Sequence, residues 1–227
     1  MNQRLRRPFL VLFFTVSCLF FLTGEWNAAI AADSEKRPNI LIVLADDLGY
    51  GDLACYGHPR IKTPHIDRFA REGLKLSSCY SAAANCSPSR AGLMTGRTPS
   101  RVGIHNWIPL LSPMHVRKRE ITIATVLRQA GYATCHVGKW HLNGRFNLPG
   151  QPQPPDHGFD YWFSTQNNAL PTHHSPENFV RNGKPVTVHR RFEGRDDQPP
   201  QHPANGGKPE EYAGHLVVDE AVYWLTK

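Results

Sequence analysis

The chain has 227 residues, a formal net charge of +7 and 40% hydrophobic residues. This balance excludes a wholly disordered protein and fits a globular domain with a buried core. The positive charge is moderate and arises partly from arginines at the start of the chain, so composition does not indicate a nucleic-acid-binding protein.

The first thirty residues have the layout of a secretory signal peptide. Residues 4–7 carry three arginines, residues 8–23 form an apolar run, and residues 29–31 are Ala-Ile-Ala, a small-x-small pattern that signal peptidase accepts. We predict a signal peptide over residues 1–31 and a secreted or periplasmic protein with no stable membrane insertion after cleavage. An uncleaved membrane anchor is the alternative, because the run is long for a signal core and short for a span.

Four cysteines remain after Cys18 is removed with the signal: Cys55, Cys79, Cys86 and Cys135. An oxidising compartment would allow up to two disulfides. Their spacing fits no compact disulfide framework.

An apolar run opens the predicted domain. Residues 40–44 read Ile-Leu-Ile-Val-Leu, which predicts a strand buried on both faces. A helix is predicted from Thr63, followed by proline at the first helical position, to Gly73. Residues 74–80 are predicted to form a second strand.

Two more helices and a strand follow. Ser87-Pro88 starts a short helix that ends near Gly96. Apolar residues at helical spacing predict an amphipathic helix from Thr122 to Gly131, and residues 132–137 are predicted to be a strand. This alternation predicts an α/β fold with a largely parallel sheet flanked by helices.

Beyond Gly138 the chain is rich in proline and polar residues, which indicates loops over the sheet with a small hairpin at Asn182-Gly183. A last helix is predicted over residues 211–226, and no strand follows it. We therefore expect residues 37–227 to be a partial domain, incomplete at its C-terminal end.

Asp46 and Asp47 directly follow the first predicted strand. Ligand sites form at the carboxyl ends of strands in open α/β sheets, and paired carboxylates suit Ca²⁺ or Mg²⁺. A helix cap or Asx-turn is the alternative interpretation.

The segment at residues 86–90, Cys-Ser-Pro-Ser-Arg, carries the clearest chemical pattern. Cys86 lies at the start of a helix, where the dipole favours anions, and Arg90 lies one turn further on. A free thiol there would be an activated nucleophile. A structural cysteine beside a helix cap is the alternative.

Lys139 and His141 follow the predicted strand 132–137 and, two residues apart in extended chain, would point the same way. Lysine would supply a fixed positive charge, and histidine would move a proton. Zinc bound by Cys135, His136 and His141 is an alternative that lacks a fourth ligand at ordinary spacing.

These motifs occur in a characteristic order, and together they resemble the N-terminal part of a sulfatase in the alkaline-phosphatase-like superfamily. The resemblance is closest to the arylsulfatase A and N-acetylgalactosamine-6-sulfatase branch. It rests on residues 37–40, 46–52, 63–67, 86–90, 93–97, 131–141 and 157–160.

The resemblance implies that a separate formylglycine-generating enzyme oxidises Cys86 to formylglycine. One hydroxyl of the hydrated aldehyde would attack sulfur while the ester oxygen leaves as an alcohol. The second hydroxyl would then lose its proton, sulfate would be expelled and the aldehyde would return. Asp46, Asp47 and the modified Cys86 would hold a divalent cation, Ca²⁺ or Mg²⁺.

The same resemblance assigns roles to three further residues. Arg90 and Lys139 would fix the diol and the developing negative charge, and His141 would take the proton of the second hydroxyl. The substrate would be a sulfated glycan or an aryl sulfate.

Sulfatases complete the metal site with a later Asp-Asn or Asp-His pair, and the sulfate pocket with a later histidine and lysine. His173 and His174 do not match that motif, although they could face substrate. We therefore expect part of a site in this chain. The alternatives are a non-catalytic truncated remnant that binds sulfated glycan, and a phosphonate or phosphodiester hydrolase of the same superfamily.

Overall fold

The computed structural model describes residues 37–174, 176–186 and 212–227. The chain divides into two compact units, Met1–Leu48 and Gly49–Lys227. The predicted signal peptide and Cys18 lie outside the described residues.

In the first unit, the described residues 37–48 form no helix or strand, and all of them are exposed. The prediction of a buried strand at 40–44 is therefore wrong for this structure. A strand needs a hydrogen-bonded partner, and no described residue belongs to a strand that pairs with this run. The run ends in a bend, where Asp47 has a left-handed φ of 59°.

The second unit contains the helices, and their ends follow the predicted capping residues. Thr63 occupies the N-cap position of α1, and Gly73 ends this helix. The Thr122 side chain caps its helix by accepting a hydrogen bond from the Thr125 main-chain nitrogen at 3.1 Å. The helices are α1 (Pro64–Glu72), α2 (Cys86–Thr95), α3 (Pro99–Val102), α4 (Ile123–Gln129) and α5 (Ala213–Leu225), with 3-10 turns at Ala54–Tyr56 and Pro154–His157.

The predicted strand at 74–80 is absent, since the segment forms neither helix nor strand and is exposed throughout. Side chains hold its backbone instead. The Tyr56 hydroxyl donates to the Leu76 carbonyl at 2.9 Å, and the Tyr50 hydroxyl donates to the Ser77 carbonyl at 3.3 Å. These bonds leave the segment without the ladder of main-chain bonds that defines a strand.

The four described strands form one sheet in the order β1 (Cys135–Lys139), β2 (Tyr161–Thr165), β3 (Val180–Arg181) and β4 (Lys184–Pro185). β1 and β2 are parallel, whereas the other two pairs are antiparallel. The α/β fold is confirmed, and the sheet of the described residues is mixed rather than largely parallel.

Two details of the sheet bear on the sequence predictions. β1 begins three residues later than predicted, because Thr134 bonds to the loop before β2: its hydroxyl donates to the Gly158 carbonyl at 2.6 Å. The hairpin at Asn182-Gly183 is confirmed, and both turn residues have left-handed φ values, as a tight hairpin turn requires.

Side chains bury on both faces of β2, since successive strand residues point to opposite sides. Trp162 belongs to a cluster with Trp140, and Phe163 belongs to a second cluster with Phe179 and Leu216. The first cluster underlies the candidate site described below.

A buried carboxylate joins α5 to the sheet. Glu220, which is fully buried, accepts hydrogen bonds from Arg181 Nε at 2.6 Å and Nη2 at 2.7 Å, and another from the Tyr161 hydroxyl. This network connects β2, the hairpin and α5.

The four cysteines in the described part of the chain are free. Among the helices that the structure describes, none combines the length and the apolar character that crossing a membrane requires.

Candidate active site

The predicted nucleophile is the first residue of α2. Asn85 is the N-cap, Cys86 is half-buried, and the next two residues are buried. A Cβ at Gly92 would lie 2.4 Å from the Ala82 Cβ, so this glycine allows the preceding segment to pack directly on the helix. The segment that leads into Cys86 is therefore packed against the second half of α2.

A stretch of four residues, 105–108, lies against the start of α2. The Asn85 side chain donates to Asn106 Oδ1 at 2.7 Å, and the Ile108 main-chain nitrogen donates to Ser87 Oγ at 3.0 Å. These bonds come from the residues on either side of Cys86. The 105–108 stretch is thus held next to the predicted nucleophile.

Arg90, one turn into α2, connects the helix to the end of β1. Its Nη1 donates to the Lys139 main-chain oxygen at 2.9 Å. Burial, assisted by the charge of Arg90, lowers the pKa of the neighbouring His136 to about 3. His136 is therefore neutral near pH 7 and hydrogen-bonds Ser164 Oγ through Nδ1 at 2.7 Å.

His141 is fully buried and oriented by main-chain groups. Its Nε2 lies 3.0 Å from the Ile108 main-chain oxygen, and its own main-chain nitrogen donates to the Gln166 oxygen at 2.7 Å. A carbonyl oxygen only accepts, so Nε2 carries the proton in the neutral ring and Nδ1 is the basic nitrogen.

Gln166 holds the main-chain groups around His141. Its side-chain nitrogen donates to the oxygens of Ile108 at 3.2 Å and Asn143 at 2.9 Å. The Ile108 oxygen is therefore shared by the His141 ring and the Gln166 amide. Sequence reasoning missed both residues. The role of Ile108 is played by a main-chain oxygen, which leaves no residue-type signal, and the Gln166 amide acts on residues more than 20 positions away in the chain.

The structure corrects the predicted relation between the Lys139 and His141 side chains. β1 ends at Lys139, and His141 has a left-handed φ of 52°. The alternation of an extended strand thus does not reach His141, and the expectation that the two side chains point the same way no longer follows. Both residues nevertheless lie at the carboxyl end of β1, and their catalytic roles stay predictions.

The zinc alternative gains no support. The described residues contain no group of three or more histidine, cysteine or acidic side chains that could hold a metal ion. Burial and the nearby Glu220 carboxylate raise the pKa of Cys135 to about 12, so its thiol is protonated near pH 7 and is a poor metal ligand.

The predicted cation ligands Asp46 and Asp47 belong to the first unit and are exposed there. Their oxygen donors fit Ca²⁺ or Mg²⁺, but two carboxylates supply only part of the six to eight ligands that Ca²⁺ takes. Cys86 belongs to the second unit. The metal set of Asp46, Asp47 and Cys86 therefore stays a prediction.

Two surface features lie in the second unit, Gly49–Lys227. A cavity of about 300 Å³ is lined by residues 82–85, Pro88, Pro99, Ser100, Ile104 and His105, a size that suits a small molecule. His173 and His174 are exposed, with ring centroids 6.1 and 5.3 Å from that of Tyr212 before α5.

Comparison with known proteins identifies the relatives of this chain. The family model described as Sulfatase matches residues 38–226. Steryl-sulfatase of Homo sapiens is 40% identical over 169 residues, covering 71% of this chain and 27% of the relative. Arylsulfatase A of Bos taurus is 44% identical over 147 residues, covering 63% and 28%. The chain thus spans about a quarter of the length of these curated relatives.

Solved structures resemble the fold as well. One is a protein in complex with its substrate D-glucosamine-2-N,6-O-disulfate, with a TM-score of 0.61 and 28% identity. The match covers 85% of this chain and 32% of that protein.

Proposed function

We propose that this chain, which belongs to the sulfatase family, carries the nucleophile and base of an enzyme that hydrolyses sulfate esters. One observation supports this most directly: the 105–108 stretch is hydrogen-bonded both to the start of α2 and to the His141 ring. Cys86 and a buried histidine are thereby held in one rigid framework. The activity is proposed for the whole protein, of which this chain is a part.

Cys86 suits the role of the modified residue. It is half-buried at the first position of α2, where the helix dipole favours negative charge. A formylglycine there would supply a geminal diol, one hydroxyl of which attacks sulfur while the ester oxygen leaves as an alcohol. Loss of the proton from the second hydroxyl then expels sulfate and restores the aldehyde, without attack by water on sulfur. The proposal includes a formylglycine-generating enzyme as a partner.

Arg90 and Lys139 would stabilise the negative charge that develops on the sulfate group. Arg90 uses Nη1 for the Lys139 main-chain oxygen. This bond anchors the guanidinium at the carboxyl end of β1, next to Lys139, the other positive group proposed for the sulfate.

His141 would accept the proton at Nδ1. Its Nε2 proton points to the Ile108 oxygen, which fixes the tautomer with the basic nitrogen at Nδ1. Burial among main-chain partners holds the ring in one orientation, which a proton acceptor requires.

Asp46 and Asp47 would hold the divalent cation, Ca²⁺ or Mg²⁺, together with ligands outside the described residues. The cation would neutralise charge on the sulfate group. Carboxylate oxygens are the appropriate donors for such a hard ion.

A sulfated sugar or aryl sulfate is the proposed substrate, and the resemblance to a protein whose substrate is a sulfated glucosamine favours the sugar. We also retain the proposal of secretion, or export to the periplasm, through residues 1–31. No part of the proposal involves nucleic acid.

Replacement of Cys86 tests the reaction. Cys86→Ala in the full-length protein should lower kcat for 4-nitrophenyl sulfate at least about 1,000-fold, because it removes the nucleophile. The control Cys79→Ala, at an exposed cysteine, should keep full activity. Mass spectrometry of the peptide containing residue 86 should show formylglycine in the active protein. Substantial hydrolysis by Cys86→Ala, or a clear preference for phosphate esters in the wild type, would contradict the proposal.

Replacement of Asp47 tests the cation. Asp47→Ala should weaken Ca²⁺ binding about 100-fold or more, since a charged oxygen ligand is lost. Calorimetric titration of the chelator-treated full-length protein measures this change. Glu72→Ala, at the exposed end of α1, is the control and should bind Ca²⁺ normally. Equal affinities in wild type and Asp47→Ala would remove Asp47 from the metal site.

A further inference from the structure

We propose that Trp107 determines substrate specificity, because its exposed ring forms the surface against which the alcohol part of the sulfate ester packs. This inference rests on the proposed function. It assigns a role to a residue that the reaction itself does not use.

The backbone on either side of the Trp107 side chain is anchored. The Trp107 main-chain nitrogen donates to Asn106 Oδ1 at 2.8 Å, and the same oxygen accepts from the Asn85 side chain. The following residue, Ile108, is fully buried and bonds to Ser87 through its nitrogen. Trp107 is therefore fixed beside the residues that flank Cys86.

The ring also lies close to the predicted base. The ring centroids of Trp107 and His141 are 6.4 Å apart, with an angle of 53° between the planes. The Ile108 oxygen orients the His141 ring, so the residue next to Trp107 sets the position of the base. A substrate whose sulfur lies between Cys86 and His141 would place its alcohol within reach of Trp107.

Exposure distinguishes Trp107 from the two tryptophans of the first core cluster. Trp107 is 47% exposed, whereas Trp140 and Trp162 are buried at 1% and 4%. A large aromatic face held on an anchored backbone binds a ligand at low conformational cost, because little motion remains to be lost. Trp107 therefore has the properties of a binding surface.

The chemistry of the ring selects the kind of alcohol. An indole packs best against a flat apolar face, which a sugar ring or an aryl ring offers and a short acyclic alcohol does not. The adjacent His105 and Asn106 side chains are exposed and can hydrogen-bond hydroxyl groups. This combination favours a sugar over an aryl group.

The test compares Trp107→Ala and Trp107→Phe with the wild type, all as full-length protein with Cys86 modified. Two ring substrates, D-glucosamine-2-N,6-O-disulfate and 4-nitrophenyl sulfate, distinguish sugar from aryl groups. Inorganic sulfate, which has no alcohol part, serves as a competitive inhibitor. Leu110→Ala is the matched control, since Leu110 is exposed in the same loop.

We expect Trp107→Ala to lower kcat/KM about 10-fold for both ring substrates, mainly by raising KM, because both rings lose the face on which they pack. The inhibition constant of sulfate should stay within about 2-fold, because sulfate does not reach the ring. Trp107→Phe should recover most of the loss, and Leu110→Ala should behave as wild type.

Unchanged KM values in Trp107→Ala would overturn the inference. An equal loss of sulfate inhibition would also overturn it, because the tryptophan would then act on the sulfate pocket or on the His141 ring. If the wild type turns over 4-nitrophenyl phosphate instead of sulfate esters, the proposed function fails. The Trp107 comparison is then repeated with that ester and inorganic phosphate. A wild type without turnover of either ester would overturn both.

Discussion

Residues 40–44 and strand β1 show how little the composition of a segment decides its structure. The first reads Ile-Leu-Ile-Val-Leu and is exposed without a strand partner among the described residues, whereas β1 reads Cys-His-Val-Gly-Lys and is a strand. β1 pairs along its whole length with β2, from Cys135 opposite Tyr161 to Lys139 opposite Thr165. A strand therefore depends on its partner more than on its own apolar character.

The two parts of the candidate site also differ in how tightly their backbone is packed. Cys86, Arg90 and His141 lie in a region where hydrogen bonds and packing fix each backbone segment. Asp46 and Asp47 lie in a unit whose described residues are all exposed.

The largest expected effect on stability comes from the buried carboxylate of the packed region. Glu220→Gln should lower the free energy of unfolding by about 3 kcal/mol, because Arg181 and Tyr161 lose their charged acceptor. Arg181 is partly exposed, which keeps the cost at the low end of the usual range. Urea denaturation measures it. Asp219→Asn, the adjacent residue on α5, should change stability by less than about 0.5 kcal/mol.

A matched pair of substitutions compares the two regions directly. Val102→Ala should cost about 2 kcal/mol, because Val102 is 1% exposed in the first core cluster. Val43→Ala should cost less than about 0.5 kcal/mol, because Val43 is 85% exposed. Denaturation of this 227-residue chain measures both. Similar losses would show that residues 40–44 are packed in solution and would remove the contrast.

The smallest effect depends on pH. The pKa of His136 is lowered to about 3 in the folded state, so between pH 6.5 and 3 the unfolded state binds a proton that the folded state does not. Stability should therefore fall as the pH decreases through this window. His136→Phe should reduce the loss between pH 6 and 5 by about 1 kcal/mol relative to wild type.

His157 provides the internal control for this pH series. Burial lowers its pKa to about 4, so it continues to contribute in His136→Phe, and part of the slope should remain. Identical pH dependence in the variant and the wild type would show that His136 titrates normally and is more accessible to water than its contacts indicate.

Helix ends and turns could be predicted from the sequence because they depend on local chemistry. Thr63, Gly73 and Thr122 mark the helix ends that the structure shows, and Asn182-Gly183 forms the expected hairpin turn. Such signals act within a few residues and need no knowledge of distant neighbours.

The strands and the finer geometry of the site could not be predicted, because they depend on distant residues. Two carbonyl groups of residues 74–80 accept hydrogen bonds from the Tyr50 and Tyr56 hydroxyls, which a pattern of apolar residues does not reveal. The left-handed backbone of His141 and its bond to the Ile108 oxygen depend on residues more than 20 positions away. The motif residues can be recognised from the sequence, whereas the residues that hydrogen-bond to them and orient them cannot.

The hydrogen bond that orients the His141 ring ends on a main-chain atom of residue 108, not on a side chain. Amino-acid exchange at position 107 can therefore alter the neighbouring surface without removing the acceptor. During evolution, substitution of Trp107 could therefore change which sulfate ester is preferred, while Nδ1 of His141 keeps its orientation. The residue that contacts the substrate and the atom that orients the base thus belong to neighbouring residues, and the first can change without the second.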